Sequence, residues 1–318
     1  MKPELEAEAA AFDRRIEERI RAGFLPDFRR ASKCAYFYKS FWRDPHFIKL
    51  YADGTVNILL EMLRRHSGEN LRILDVGCGA GYVSLEFARA GHRVLGIDIS
   101  SKCIEIASEY RDKNPFTEGF GSLDYEVRTL DEVTEPFDCV LFSGCLHHFS
   151  DPAKTVHEAT ELLPAGGFIL AYEPCHDQWR MQDAAQVTLI RGLLALAGFW
   201  YEEPFELNDG GSKFPTLVQD VHTEYVTERD KDEAGGQSPN DNSASGEVIL
   251  NALREQLREL EYKPGLSFTY RLLGGLRGPD ETVYRIADFL AAYEKYTIEN
   301  GFLRPNYFCF LGKKTPSR

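Results

Sequence analysis

Between residues 71 and 175, short apolar runs alternate with longer amphipathic segments. The runs at 71–76, 93–97, 137–143 and 168–172 are mostly apolar, which predicts strands buried on both faces, and 123–128 adds a further strand between them. Residues 81–90, 101–111 and the stretch from Asp151 to Pro164 carry apolar side chains at helical spacing. Asp151 before Pro152 is an N-cap followed by proline in the first helical position. Alternation of this kind predicts a parallel sheet with helices on both faces and right-handed crossovers.

Outside that block the pattern changes. Residues 4–22 place Leu5, Ala9, Phe12, Ile16 and Ile20 on one helical face, with Gly23 as the stop. Thr55–His66 repeats the pattern with Val56, Leu59, Leu60 and Leu63. The aromatic-rich run from Tyr36 to Tyr51 lies between them. It reads either as a helical pair packed on the core or as a lid closing over a ligand. Towards the C-terminus, Gln178–Trp200 predicts one long apolar helix or two, and Glu247–Glu261 an amphipathic one. Residues 229–247 hold no apolar side chain besides alanine, which predicts a flexible loop. Ser267–Leu273 and Asn306–Leu311 are strand-like, with the helix Asp280–Asn300 between them.

Composition narrows the function classes. The 318 residues are 43% hydrophobic and 27% charged, ordinary for a globular enzyme. A net charge of −13 argues against a nucleic-acid backbone as the main partner. The 7 cysteines lack Cys-x-x-Cys spacing, so neither a disulfide framework nor a zinc site is expected. No metal is predicted. With no apolar signal core and no membrane-length apolar window, the expected location is cytoplasmic.

The chemistry concentrates in Ile73-Leu-Asp-Val-Gly-Cys-Gly-Ala-Gly81. Its alternate glycines permit a tight turn and let a ligand lie against the main chain. The following helix N-terminus favours an anionic group. Asp98, ending the next strand, can accept hydrogen bonds from both hydroxyls of a ribose. An adenosine-containing ligand follows. A nicotinamide dinucleotide site prefers Gly-x-Gly-x-x-Gly, whereas this pattern is Asp-x-Gly-x-Gly-x-Gly. It resembles the first motif of the class I S-adenosylmethionine (SAM)-dependent methyltransferases. Asp98, the run Phe137–Pro152 with its Leu146-His-His148 ending, and Leu163–Tyr172 resemble that family's later segments in order.

The resemblance implies an α/β fold: a Rossmann-like, doubly wound, seven-stranded, mostly parallel sheet of order 3-2-1-4-5-7-6, its seventh strand antiparallel. N-terminal helices and a helical insertion between strands five and six accompany it. The implied division is a lid over 1–70, a SAM-binding core over 71–175, a substrate-covering insertion over 176–262 and the last two strands over 263–318. Asp75, Gly77, Cys78 and Gly79 would hold the cofactor, Asp98 its ribose and Ile99 its adenine. Thr129, with Leu130 and Asp131 beside it, stands where relatives often carry an adenine-contacting acid. Ser143 is placed for the methionyl amino group.

Candidate catalytic residues follow strands four and five, because ligands of open parallel sheets sit outside the strands' carboxyl ends. They are His147, His148 and Glu173, with His176 and Asp177 close behind. His147 and His148 read first as residues that shape the methionine end of the pocket, and Glu173 as either a substrate contact or a helix cap. The expected activity is methyl transfer from SAM to O or N of a small or lipid-like acceptor by in-line displacement. A tRNA or rRNA methyltransferase, a non-catalytic SAM-binding subunit and a nicotinamide-dependent dehydrogenase are the competing readings. Acceptor and oligomeric state are not encoded legibly.

Overall fold

In a computed structural model that describes residues 3–34, 40–202, 213–228 and 238–315, three helices precede the sheet: α1 (Pro3–Arg21), α2 (Pro45–Gly54) and α3 (Val56–His66). The core then runs β1 (Arg72–Val76), α4 (Tyr82–Arg89), β2 (Arg93–Asp98), α5 (Ser101–Asp112), β3 (Ser122–Val127), β4 (Cys139–Ser143), α6 (Pro152–Glu161) and β5 (Phe168–Pro174). Helices α7 (Met181–Leu196), α8 (Phe214–Thr227) and α9 (Gly246–Gln256) follow. The chain ends with β6 (Arg258–Pro264), α10 (Thr269–Leu272), α11 (Asp280–Glu299) and β7 (Tyr307–Lys313).

The sheet order is β3-β2-β1-β4-β5-β7-β6, as the resemblance implied. Strands β1 to β5 pair in parallel, and β7 runs antiparallel to both β5 and β6. Every residue of β5 is buried, as are Cys139 to Phe142 of β4. Strands covered on both faces need such unbroken apolar runs. The chain reverses its direction of travel across the sheet between β1 and β4. That opens a crevice at their carboxyl ends, where such folds hold ligands. Asp151 caps α6 as predicted, accepting from the Lys154 amide at 3.0 Å.

Strand six is not where the sequence pattern put it. It occupies Arg258–Pro264, and the predicted helix over 247–261 stops at Gln256. The apolar stretch 267–273 instead holds the short helix α10. The buried carboxylate of Glu294, reaching in from α11, explains the switch. It accepts the backbone amides of Ser267, Phe268 and Thr269 at 3.0, 2.6 and 2.8 Å, satisfying a helix start from outside. β6 escaped notice because charged side chains interrupt it, as suits an exposed sheet edge. The long helix expected over 178–200 is shorter, spanning Met181–Leu196.

The N-terminal segment is tied to the core by buried charge. Arg89 of α4 donates to both carboxylate oxygens of Asp27 at 2.8 Å and to Glu86 at 2.6 Å. Both Arg89 and Asp27 side chains are almost wholly out of solvent. Among the described residues no helix is long and apolar enough to cross a membrane. Part of the aromatic run and of the predicted loop, residues 35–39 and 229–237, lies outside the described residues.

Candidate functional site

A cavity of about 830 Å³ opens at the carboxyl ends of β1, β2 and β4. On one side it meets the glycine turn. Gly77, Gly79 and Gly81 have φ of +67, +53 and +78°, a region side-chain-bearing residues avoid. A Cβ on Gly77 would come within 2.7 Å of the Cys145 Cβ, and one on Gly81 would collide with the Tyr125 hydroxyl. Nothing lies within 4 Å of a Cβ built on Gly79. Its backbone is the open floor of the cavity.

Two acids flank that floor. Asp98 accepts the Gly79 amide at 2.8 Å through one oxygen and the Ser100 amide at 2.8 Å through the other. It therefore shapes the turn as well as lining the cavity. Burial pushes its carboxyl above the usual range, although these amide bonds work in the other direction. Asp75, the last acid of β1, accepts from the Ser84 hydroxyl at 2.5 Å through Oδ2, while its buried Oδ1 has no partner among the described residues. Burial, with Asp98 nearby, raises its carboxyl to about 7. An orphaned carboxylate oxygen on a cavity wall fits a cationic ligand group, because unpaired buried acceptors are costly.

The remaining residues predicted for the cofactor, Cys78, Ile99, Thr129, Leu130, Asp131 and Ser143, all line the same cavity. Thr129 donates its hydroxyl to Asp131 at 2.5 Å. That bond fixes Asp131 at the rim.

Of the catalytic candidates, His147 and His148 line the cavity and Glu173 does not. Glu173 is fully buried and grips the turn after β4. Its Oε1 accepts the Cys145 and Leu146 amides, each at 2.9 Å, and its Oε2 lies 3.0 Å from His147 Nδ1. A carboxylate there favours the tautomer that donates from Nδ1 and carries its lone pair on Nε2. His148 Nδ1 lies 3.1 Å from Glu8 of α1. His176 and Asp177 stand outside the cavity. Asp177 caps α9 by accepting the Gly246 amide at 2.8 Å, and His176 Nδ1 pairs with Asn306.

A second part of the cavity is aromatic. Tyr172 and Tyr307 stack with centroids 4.8 Å apart, and Tyr270 meets Tyr307 edge-on. Tyr51 stacks on Phe41 at 3.8 Å, bringing the N-terminal aromatic run to the cavity. The Tyr172 hydroxyl is buried without a partner among the described residues. Tyr307 donates to Glu228 at 2.7 Å. Glu228 carries a positive φ of 52°. Burial opposes its ionisation, but His176, Tyr307 and Arg271 hold its carboxyl well below the usual range.

Sequence reasoning missed Glu8, Glu228, Tyr270 and Tyr307. Glu8 left one signal: it is an acid beside the apolar stripe of Leu5, Ala9 and Phe12. Glu228 left none, because a glutamate at a helix end is ordinary.

Residues 73–167 match a family model described as a methyltransferase domain. A ubiquinone biosynthesis O-methyltransferase from Caulobacter sp. is 34% identical over 102 residues, 32% of this chain and 40% of that protein. The mitochondrial ubiquinone biosynthesis O-methyltransferase of Saccharomyces cerevisiae is 36% identical over 100 residues, 30% of this chain and 31% of its own length. The match thus spans well under half of these relatives. Among solved structures, a mycolic acid cyclopropane synthase complexed with SAH and CTAB aligns over 99% of both chains, with a TM-score of 0.55 and 16% identity. At that identity the likeness shows the fold.

Proposed function

We infer that this chain is a class I SAM-dependent methyltransferase, and we propose that it transfers the methyl group to a hydroxyl of a small or lipid-like acceptor. One observation carries the reading: the glycine floor, Asp98 and the unpartnered Asp75 Oδ1 share one cavity with His147 and an unpartnered tyrosine hydroxyl. In this reading the SAM ribose hydroxyls donate to Asp98, its ammonium meets Asp75, and its adenine lies on Ile99. The cofactor supplies an electrophilic methyl carbon.

The chain's own residues then position the acceptor. Displacement at a sulfonium needs its nucleophile in line and about 3–3.5 Å from the methyl carbon. A hydroxyl must also lose its proton, and the His147 Nε2 lone pair, aimed by Glu173, suits that task. The tyrosine-lined part of the cavity suits a largely apolar acceptor, with Tyr172 as a donor to one of its oxygens. The names of the curated relatives, O-methyltransferases, favour oxygen over nitrogen.

The test is methyl transfer from labelled SAM to a metabolite extract, with mass spectrometry of the product. A labelled ether or ester supports the reading. A labelled amine moves the acceptor to nitrogen. Cofactor binding with no labelled product makes the chain a binding module.

A further inference from the structure

We propose that His147, His148 and Asp241 form a binding site for a divalent first-row transition cation such as Zn2+, Co2+ or Mn2+. One donor atom from each residue, one ring nitrogen or the other for each histidine, lies within 4.8 Å of the other two. Ligands on one such ion sit about 3–4.4 Å apart, given bonds of about 2.0–2.2 Å. Small side-chain rotations close the difference.

The surroundings are those of a built site. Each imidazole has its Nδ1 against a buried carboxylate, His147 on Glu173 at 3.0 Å and His148 on Glu8 at 3.1 Å. Both acids are almost wholly excluded from solvent. This arrangement favours the tautomer with its proton on Nδ1, frees Nε2 to ligate and strengthens it as a donor. Glu8 also sets the third ligand. Its two oxygens accept from the Ser238 hydroxyl at 2.5 Å and the Asn240 amide at 3.0 Å, pinning the turn that carries Asp241. The Ala244 amide completes the hold by donating to the His147 carbonyl at 3.2 Å.

Both anchored histidines face an acid delivered from a segment almost a hundred residues away. Two imidazoles and one carboxylate favour transition cations over Mg2+ or Ca2+, which prefer oxygen donors. The inference goes beyond methyl transfer and stands without it. Should both hold, the cation sits where the acceptor hydroxyl arrives. It would then favour the deprotonated form in place of the bare imidazole, the hydroxyl proton passing to solvent water.

Untagged, chelator-treated protein titrated with Co2+ tests the site, read by visible absorption and by calorimetry, with Zn2+ and Mg2+ in parallel. The expected result is one Co2+ or Zn2+ per chain, with far weaker Mg2+. Asp241→Asn and His148→Ala should each weaken Co2+ binding at least tenfold and change its spectrum. Glu8→Gln should weaken it by a smaller factor. Each variant's S-adenosylhomocysteine (SAH) affinity reports that the fold persists. Wild-type protein that binds SAH but no Co2+ or Zn2+ overturns the proposal, as does unchanged Co2+ binding in Asp241→Asn. Cation binding without SAH binding leaves this site standing and removes the methyltransferase reading.

Discussion

The glycine turn and the tyrosine cluster line one cavity, yet the chain builds them by different means. The turn is main chain: Asp75 to Gly81, plus Asp98 from the adjacent strand, held by backbone conformation and amide bonds to Asp98. The aromatic part is side chain. Tyr51, Tyr172, Glu228, Tyr270 and Tyr307 arrive from five separate segments. A backbone site demands particular residue types at fixed spacing, because a Cβ at Gly77 or Gly81 has nowhere to go. A side-chain site demands only that the fold bring suitable groups together. On the proposed reading the first constrains the cofactor, and the second leaves the acceptor open to change.

Breaking the backbone should have the largest effect. Gly77→Val forces a branched side chain into a positive φ and against Cys145. SAH binding by calorimetry should fall below detection, with thermal stability lowered as well. Glu173→Gln attacks the join between the two regions, since it puts an amide hydrogen where backbone donors converge. We expect kcat to fall by about 10²-fold or more, with SAH affinity changed far less. Equal losses in both would mean that Glu173 only shapes the cofactor pocket. Asp98→Ala removes charge-assisted bonds worth about 1.5–3 kcal/mol each. SAH should then bind roughly ten- to more than a hundredfold more weakly.

Much of this was legible beforehand, and the boundary follows the same division. The α6 cap was written in Asp151-Pro152, and the strand order followed from the family resemblance that the contiguous motifs carry. β6 was not legible, because Glu294 reaches across from α11 to hold residues 267–269 as a helix start, while charges mask the true edge strand. Glu173 was read as a catalytic or capping residue at the end of β5. It is an interior clamp, because β5 extends through Glu173 and Pro174 and buries that side chain beneath the 145–147 turn. Glu8 acts on His148 across the length of the core, and no local pattern announces a contact at that distance.

Asp75 sharpens the comparison through pH. Its carboxyl is raised to about 7 in the ligand-free protein, mainly by burial. A bound ammonium favours the carboxylate. Below pH 7 binding must therefore expel a proton, and SAH affinity should fall by up to tenfold per pH unit. Above pH 8 it should be flat. The same shift means that Asp75 favours the folded, ligand-free protein less as pH rises from about 4 to 7. Calorimetry in buffers of different ionisation enthalpy measures the released proton, and Asp75→Asn should abolish its release. The smallest effect belongs to the aromatic side. Tyr172→Phe should raise the acceptor KM about tenfold while leaving SAH affinity unchanged.

The most direct measurement is a crystal structure grown with SAH. The account predicts ribose hydroxyls on the Asp98 carboxylate, the ammonium on Asp75 Oδ1 and the sulfur facing the cavity between His147 and Tyr172. SAH bound away from the glycine floor, or with its ribose not on Asp98, would contradict it.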